Sequence, residues 1–287
     1  MYMTTRHTAS RVDSQYRGAE PLSNAMIQKY APSVLQTEKH ESRSERYAHI
    51  TTIDVVEAMR KEGFLPFEVV QSRTRIPGKR EFAKHMIKFR RQEDLGVYAP
   101  EINEVVLVNG HDGSASYRMM AGIFRMVCSN GLIAWEGTDE IRVRHTGNVV
   151  DKVIEGSYRV LDQLKLIDEN KDEMKSIELD AREQALFAQH ALALRYEPNK
   201  APINVNDVLR PMRGADKFND LWTVFNRTQE HLVRGGQRGF SSVGRRTTTR
   251  AITGIDQNVK LNQALWGLAQ GMADIKSGRE VRFQQAA

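Results

Sequence analysis

The 287 residues include one cysteine, Cys128, so no internal disulfide can form, which suits a reducing compartment. Long apolar runs are also missing, and nothing approaches the roughly 18 residues needed to cross a bilayer. The opening stretch, MYMTTRHTASRVDSQYRG, lacks the apolar segment of a secretory leader. These absences predict a cytoplasmic protein with no membrane partner. Phosphate-cradling motifs are absent too: there is no GxxxxGK followed by Ser or Thr, and no GxGxxG after a strand. Gly239–Gly244 (GFSSVG) misses the nucleophile-elbow spacing by one residue. ATP hydrolysis, dinucleotide binding and serine hydrolysis are therefore not expected.

What is present is an ordinary globular composition, 40% apolar and 27% charged, enough for one large domain or two modest ones. The net charge of +6 is small, but its distribution is uneven. Between Arg73 and Arg91 stand eight basic residues (Arg73, Arg75, Lys79, Arg80, Lys84, Lys88, Arg90, Arg91) and one acid, Glu81. From His231 to Ile255 there are five arginines (Arg234, Arg238, Arg245, Arg246, Arg250) and no acid. Acids concentrate instead at 168–183, interleaved with Lys171, Lys175 and Arg182 as on a solvated helix face.

Hydrophobic periodicity divides the chain. Residues 1–48 read as a mobile arm with a short helix near Pro21–Lys29 and a charged linker, Thr37–Arg46. Residues 49–146 read as an α+β core. A strand at Tyr47–Thr51 leads to a helix capped through Thr51 and Asp54, with Val55, Val56 and Met59 inward and Gly63 ending it. Phe67–Arg75 and Phe82–Arg91 read as a hairpin around the Pro-Gly turn at Ile76–Lys79. Its second strand sets Lys84, Met86, Lys88 and Arg90 on one face, and His85, Ile87 and Phe89 on the other. Glu104–Val108 and Ile141–His145 read as strands, Gly110–Ser114 as a turn, and Tyr117–Val127 as helix or strand. Short connections predict a mainly antiparallel sheet.

Residues 147–287 read as a helical region packed on or following that core. One stripe is Val150, Ile154, Leu161 and Leu164. A second is Met174, Ile177, Ala181, Ala185, Ala188 and Leu192, separated from the first by the charged Asp168–Glu173. Pro198 and Pro202 close the second. A third helix carries Phe218, Leu221, Trp222, Phe225 and Leu232. Residues 234–250 read as a loop, and Leu261, Leu265, Leu268, Met272 and Ile275 mark a last helix.

Candidate catalytic groups have plainer explanations. Cys128, with His111 or His145 as base, would make a nucleophile, but it lies in the apolar run Phe124–Ile133, where free cysteines are usually buried. His111-Asp112-Gly113 has no partner at metal-ligand spacing and reads as a turn. No catalysis, metal or cofactor is therefore expected, and a site built on His111, Asp112, Cys128 and His145 is the minor alternative. The basic hairpin is the stronger feature. Its cations can neutralise phosphates, with Phe82, Phe89, Tyr98 and Tyr117 available for base stacking. Edge protection of the sheet is the competing explanation.

The segments NGHDGSASYRMM, FRMVCSNGLIAW and EIRVRHTG resemble the phage/plasmid-like family known as domain of unknown function 932, over about residues 50–275. The markers are His111-Asp112-Gly113, Val127-Cys128-Ser129-Asn130-Gly131 and Arg144-His145-Thr146. The resemblance implies a phage or plasmid context, in which proteins handle DNA or counter host defences, and supplies no catalytic residues. The element order over residues 52–108 is more loosely similar to the β-β-β-α core of Rad52-like annealing proteins, which would imply an oligomeric ring on single-stranded DNA. The expected function is nucleic-acid binding without catalysis, by a possible homo-oligomer acting on DNA in binding or recombination. The expected contacts are Arg73, Arg75, Lys79, Arg80, Lys84, Lys88, Arg90, Arg142 and Arg144, with Arg238, Arg245 and Arg246 secondary. The alternative is an anti-defence inhibitor of a host protein, docking through Trp222, Phe225, Trp266 and Met272.

Overall fold

The computed structural model describes residues 14–36, 51–74, 80–96, 99–111, 116–126, 130–134, 141–144 and 148–281. Within them, seven strands form one antiparallel sheet. They are β1 (Gln15–Arg17), β2 (Phe64–Gln71), β3 (His85–Arg91), β4 (Glu101–Asn109), β5 (Tyr117–Arg125), β6 (Asn130–Ala134) and β7 (Ile141–Val143). The strands lie in chain order from β1 to β6, and β7 pairs with Tyr117–Met119 on the edge of β5 that carries β6 further along. The ambiguous segment Tyr117–Val127 is thus a strand through Arg125, because its alternate residues serve two buried faces. Tyr117, Met119, Ala121 and Ile123 join the main core, while Met120 packs on the opposite side.

The sheet is curled. Strands β3 and β6 are three steps apart, which in a flat sheet is ~14 Å, beyond a lysine's reach. Yet a Cβ placed on Gly131 of β6 would collide with the Nζ of Lys88 on β3. Gly131, one of the family markers in the sequence, is therefore the residue whose bare backbone lets the concave face close on a lysine.

Residues 14–36 are built into this architecture, against the expectation of a mobile arm. β1 adds to the free edge of β2, and Tyr16 stacks on Tyr30 at a centroid distance of 4.7 Å. Tyr30 ends α1 (Asn24–Tyr30), whose Ile27 is buried. Helix α2 (Thr52–Lys61) follows the sequence closely: Thr51 caps it by accepting from the Asp54 amide, and Gly63 takes φ +79 after its end. The expected strand at 47–51 lies outside the described residues apart from Thr51, and so does the hairpin turn at 75–79.

The helical half packs on the sheet and shares one continuous core with it. Helix α3 (Val149–Ser176) runs without a break through the charged Asp168–Glu173. Its buried face is Val149, Val153, Val160, Leu164 and Ile167, one position off the stripe read from sequence for its first turns. The chain turns at Ile177–Asp180, where a capping box on Asp180 and Glu183 starts α4 (Ala181–Arg195). The short α5 (Val205–Leu209) was not apparent in the sequence. Helix α6 (Leu221–Arg234) has every residue from Leu221 to Val233 buried, so it is the axis of the helical layer. The last helix, α7 (Ile255–Lys276), packs on α4 and α6, and its first residues reach the concave sheet face through Ile255 and Val259. Trp222, Phe225, Trp266 and Met272 are all core residues, so these four offer no docking surface. Phe218 and Ile275, expected on inward stripes, are exposed instead. Among the described residues no helix is long and apolar enough to cross a membrane.

Replacing fully buried Phe225 by alanine should cost about 3–5 kcal/mol through the cavity it leaves in α6. Ile275→Ala, at an exposed site, should shift the urea midpoint little. Equal losses for the two would contradict an axial α6.

Candidate nucleic-acid interface

The alternation predicted for the basic hairpin is present: His85, Ile87 and Phe89 enter the main core, while Met86, Lys88 and Arg90 face the concave side. That face is not a free surface. Arg17, Glu68 and Lys88 stand directly opposite one another on β1, β2 and β3, a cross-strand row of alternating sign. Arg17 and Lys88 both pair with Glu68 Oε2, the latter at 3.1 Å. Glu104 Oε1 of β4 accepts from Arg17 Nη1 at 3.1 Å and from Arg90 Nε at 3.0 Å. The Arg90 guanidinium also lies 4.5 Å from the Phe67 ring centre and 4.4 Å from that of Phe124. Lys88 and Arg90 are only 4% and 6% exposed. Both belong to an internal ion network, which corrects their assignment as phosphate contacts. Burial alone would push the Glu68 carboxyl up, but Lys88 and Arg17 beside it hold it below the ordinary value.

Lys84 is half-buried and bonded at 2.6 Å to Asp256 in the first turn of α7, which Arg118 of β5 also engages at 2.8 Å. This clamp holds the start of α7 against the sheet, so Lys84 is a structural cation as well. Arg73, Arg80, Arg142 and Arg144 are exposed. Arg75 and Lys79 lie outside the described residues. Of the aromatic side chains expected to stack on bases, Phe89 and Tyr117 are fully buried, and Tyr98 is outside the described residues.

Of the minor catalytic alternative, the described residues include only His111. His111 is completely buried, with Nε2 3.2 Å from Thr52 Oγ1, while Asp112, Cys128 and His145 lie outside the described residues. The same Thr52 hydroxyl meets His85 Nε2 at 3.0 Å and Asn109 Nδ2 at 2.9 Å. His85 Nδ1 is in turn 2.8 Å from Ser33 Oγ. Every member is buried, so this polar cluster ties α2 and the segment after α1 to the sheet. Among the described residues no group of three His, Cys, Asp or Glu side chains could hold a metal.

The second basic segment, read as a loop, is a two-stranded ribbon of β8 (Arg238–Phe240) and β9 (Arg246–Thr248). Arg238 pairs with Thr248 and Phe240 with Arg246, so all four side chains share one face. That face is open: Phe240 is 60% exposed, and the side chains of Arg238, Arg245 and Arg246 make no ion pair among the described residues. The other face is pressed down. Gly239 lies against the Pro202 carbonyl so closely that a Cβ there would overlap it, and the Phe240 amide donates to the same carbonyl at 2.9 Å. The base is anchored to α6. Gly235 takes φ +63 against the Arg250 backbone. His231 Nε2 donates to the Arg210 carbonyl at 2.8 Å, and His231 Nδ1 accepts from Gln237 at 2.7 Å. A rigid helix end thus projects a ribbon bearing an aromatic ring among unpaired guanidinium groups. The sequence signal was the acid-free run; the missed step was the period-two alternation within it.

Fold and site together define a curled antiparallel sheet backed by helices, with an internal ion network and a projecting basic ribbon. The chain belongs to the family described as domain of unknown function (DUF932), which it matches over residues 39–266. It is 43% identical over 256 residues to UPF0380 protein YafZ of Escherichia coli (strain K12), covering 89% of this chain and 93% of that protein. UPF0380 protein YfjQ of the same strain is also 43% identical, over 254 residues, covering 88% of this chain and 92% of that protein. No solved structure matches.

Glu104→Ala leaves buried Arg90 and half-buried Arg17 without their shared acceptor and should cost about 3–5 kcal/mol in urea unfolding. The depressed Glu68 carboxyl contributes stability that is present above its ordinary value of 4.5 and is lost as pH falls below it. Glu68→Gln should therefore flatten the loss of urea midpoint below that pH. A mutant curve parallel to the parent's would show that Glu68 gains nothing from its partners.

Proposed function

We propose that this protein binds nucleic acid without catalysis, and that the β8–β9 ribbon makes the principal contact. The observation that carries this reading is the ribbon's exposed face, where Phe240 stands beside Arg238 and Arg246 with Arg245 in the adjoining turn. Unpaired arginines on a rigid support neutralise phosphates without first breaking internal ion pairs. An exposed phenylalanine among them offers a stacking platform, which favours a single strand over a duplex. Arg73, Arg80, Arg142 and Arg144 extend the set of exposed cations, whereas Lys88 and Arg90 take no part. A role in annealing or recombination would be a use of such binding, in the phage or plasmid setting that the family resemblance implies.

Fluorescence anisotropy with a labelled single strand and its duplex, over a salt series, tests this. The triple variant Arg238→Ala, Arg245→Ala, Arg246→Ala should remain folded and bind weakly. Its log–log salt slope should be shallower by about 2, since each phosphate contact to a single strand contributes ~0.7. Phe240→Ala should weaken single-strand binding by about 1–3 kcal/mol and leave that slope unchanged. Parental affinity and slope in the triple variant would sink the proposal.

A further inference from the structure

The far end of the ribbon carries an apolar side chain that the fold does not use. Val243 is 75% exposed, more than any other large apolar side chain among the described residues. Phe240, three positions earlier, is 60% exposed, and residues 242–246 all face solvent.

The tip is held in one shape. The Gly244 amide donates to the Ser241 carbonyl at 2.9 Å, closing a four-residue turn with Ser242 and Val243 at its centre. Gly244 then takes φ +75, a conformation that a side chain would strain, and returns the chain to its partner strand. There the Ser241 amide donates to the Arg245 carbonyl at 2.8 Å, and the Arg245 amide to Ser241 Oγ at 3.2 Å. Small or polar residues ordinarily occupy such turns. A valine at the centre gains nothing from the turn and leaves apolar surface in water, which is unfavourable unless a ligand covers it.

The surroundings say what that ligand is. Arg238, Arg245 and Arg246 flank the two apolar side chains and have no acidic partner among the described residues. An apolar protein groove closing over this tip would bury guanidinium groups without counter-charges. Nucleic acid instead presents phosphates around flat apolar base surfaces. A single strand offers Phe240 an unpaired base to stack on, but valine has no π face with which to do the same. On nucleic acid an aliphatic side chain works as a wedge against stacked base pairs. A blunt duplex end offers Val243 such a pair and gives Phe240 no unpaired base. A junction where a duplex opens into a single strand offers both.

We infer that the ribbon tip is a wedge for a junction between paired and unpaired strands, with Val243 against the last base pair and Phe240 on the first unpaired base. The inference rests on the reading of the ribbon as strand-binding, and adds to it a ligand class and a specificity-determining residue, Val243.

The test is fluorescence anisotropy of the full chain with three labelled DNAs at one salt concentration: a single strand, a blunt duplex, and a forked duplex with unpaired tails. The fork should bind roughly tenfold tighter than the single strand, the ratio expected when a valine side chain is withdrawn from water. The blunt duplex should bind more weakly than the fork. Val243→Ser, at an exposed turn position, should keep the parental urea midpoint and single-strand affinity and lose the preference for the fork. Fork affinity no greater than that for the single strand overturns the inference and leaves strand binding by the ribbon standing. A blunt duplex bound as tightly as the fork, or a fork preference that survives Val243→Ser, overturns it in the same way. Failure of the parent to bind any of the three DNAs overturns both readings.

Discussion

The concave face of the sheet is held together by charge. Arg17, Glu68, Lys88, Glu104 and Arg90 alternate in sign across β1 to β4, and two phenylalanine rings seat the guanidinium groups. Apolar side chains would fill such a face at lower desolvation cost, since a buried ion pair seldom repays what it loses from water. What the ions supply is register. A one-residue slip of β1, β2 or β3 would turn a charged side chain into the apolar core on the other face. The bare Gly131 backbone makes room for the Lys88 ammonium of this row, while α7 is seated separately through Asp256 on Lys84 and Arg118.

The same constraint assigns the cations. Counting basic residues along the chain places the interface at the hairpin, because eight positive charges with one acid read as an excess. In the fold the acids come from elsewhere. Glu68 lies before the counted stretch, Glu104 beyond it and Asp256 far down the chain, and between them they neutralise Lys84, Lys88 and Arg90. Local charge density therefore overstated the hairpin. In the ribbon, by contrast, Arg238, Arg245 and Arg246 have no acidic partner among the described residues.

Much of the sheet was legible in the sequence. The alternation in His85–Arg91 and Ile141–Val143, and the cap on α2, placed residues on their observed faces because strands and caps are local. The curled antiparallel sheet and the helical C-terminal half agree with the α+β class read from pattern. Less accessible were features fixed by distant partners. β1 is a polar tripeptide whose only reason to be a strand is the edge of β2, fifty residues away. Helix α6 is buried on every side, so no amphipathic stripe could reveal that Gln229, Glu230 and His231 would be enclosed; Asn262, Arg213 and Gln237 from other segments bond to them.

An inner set of cations builds the fold, and the proposed strand contact falls to an outer set on the ribbon. Photo-cross-linking of a bromodeoxyuridine-substituted single strand, followed by peptide mapping, tests that separation most directly. Adducts concentrated on the peptide containing Phe240 are the predicted result. Adducts confined to Arg73–Arg91, with none on the ribbon, would contradict it and return the interface to the hairpin.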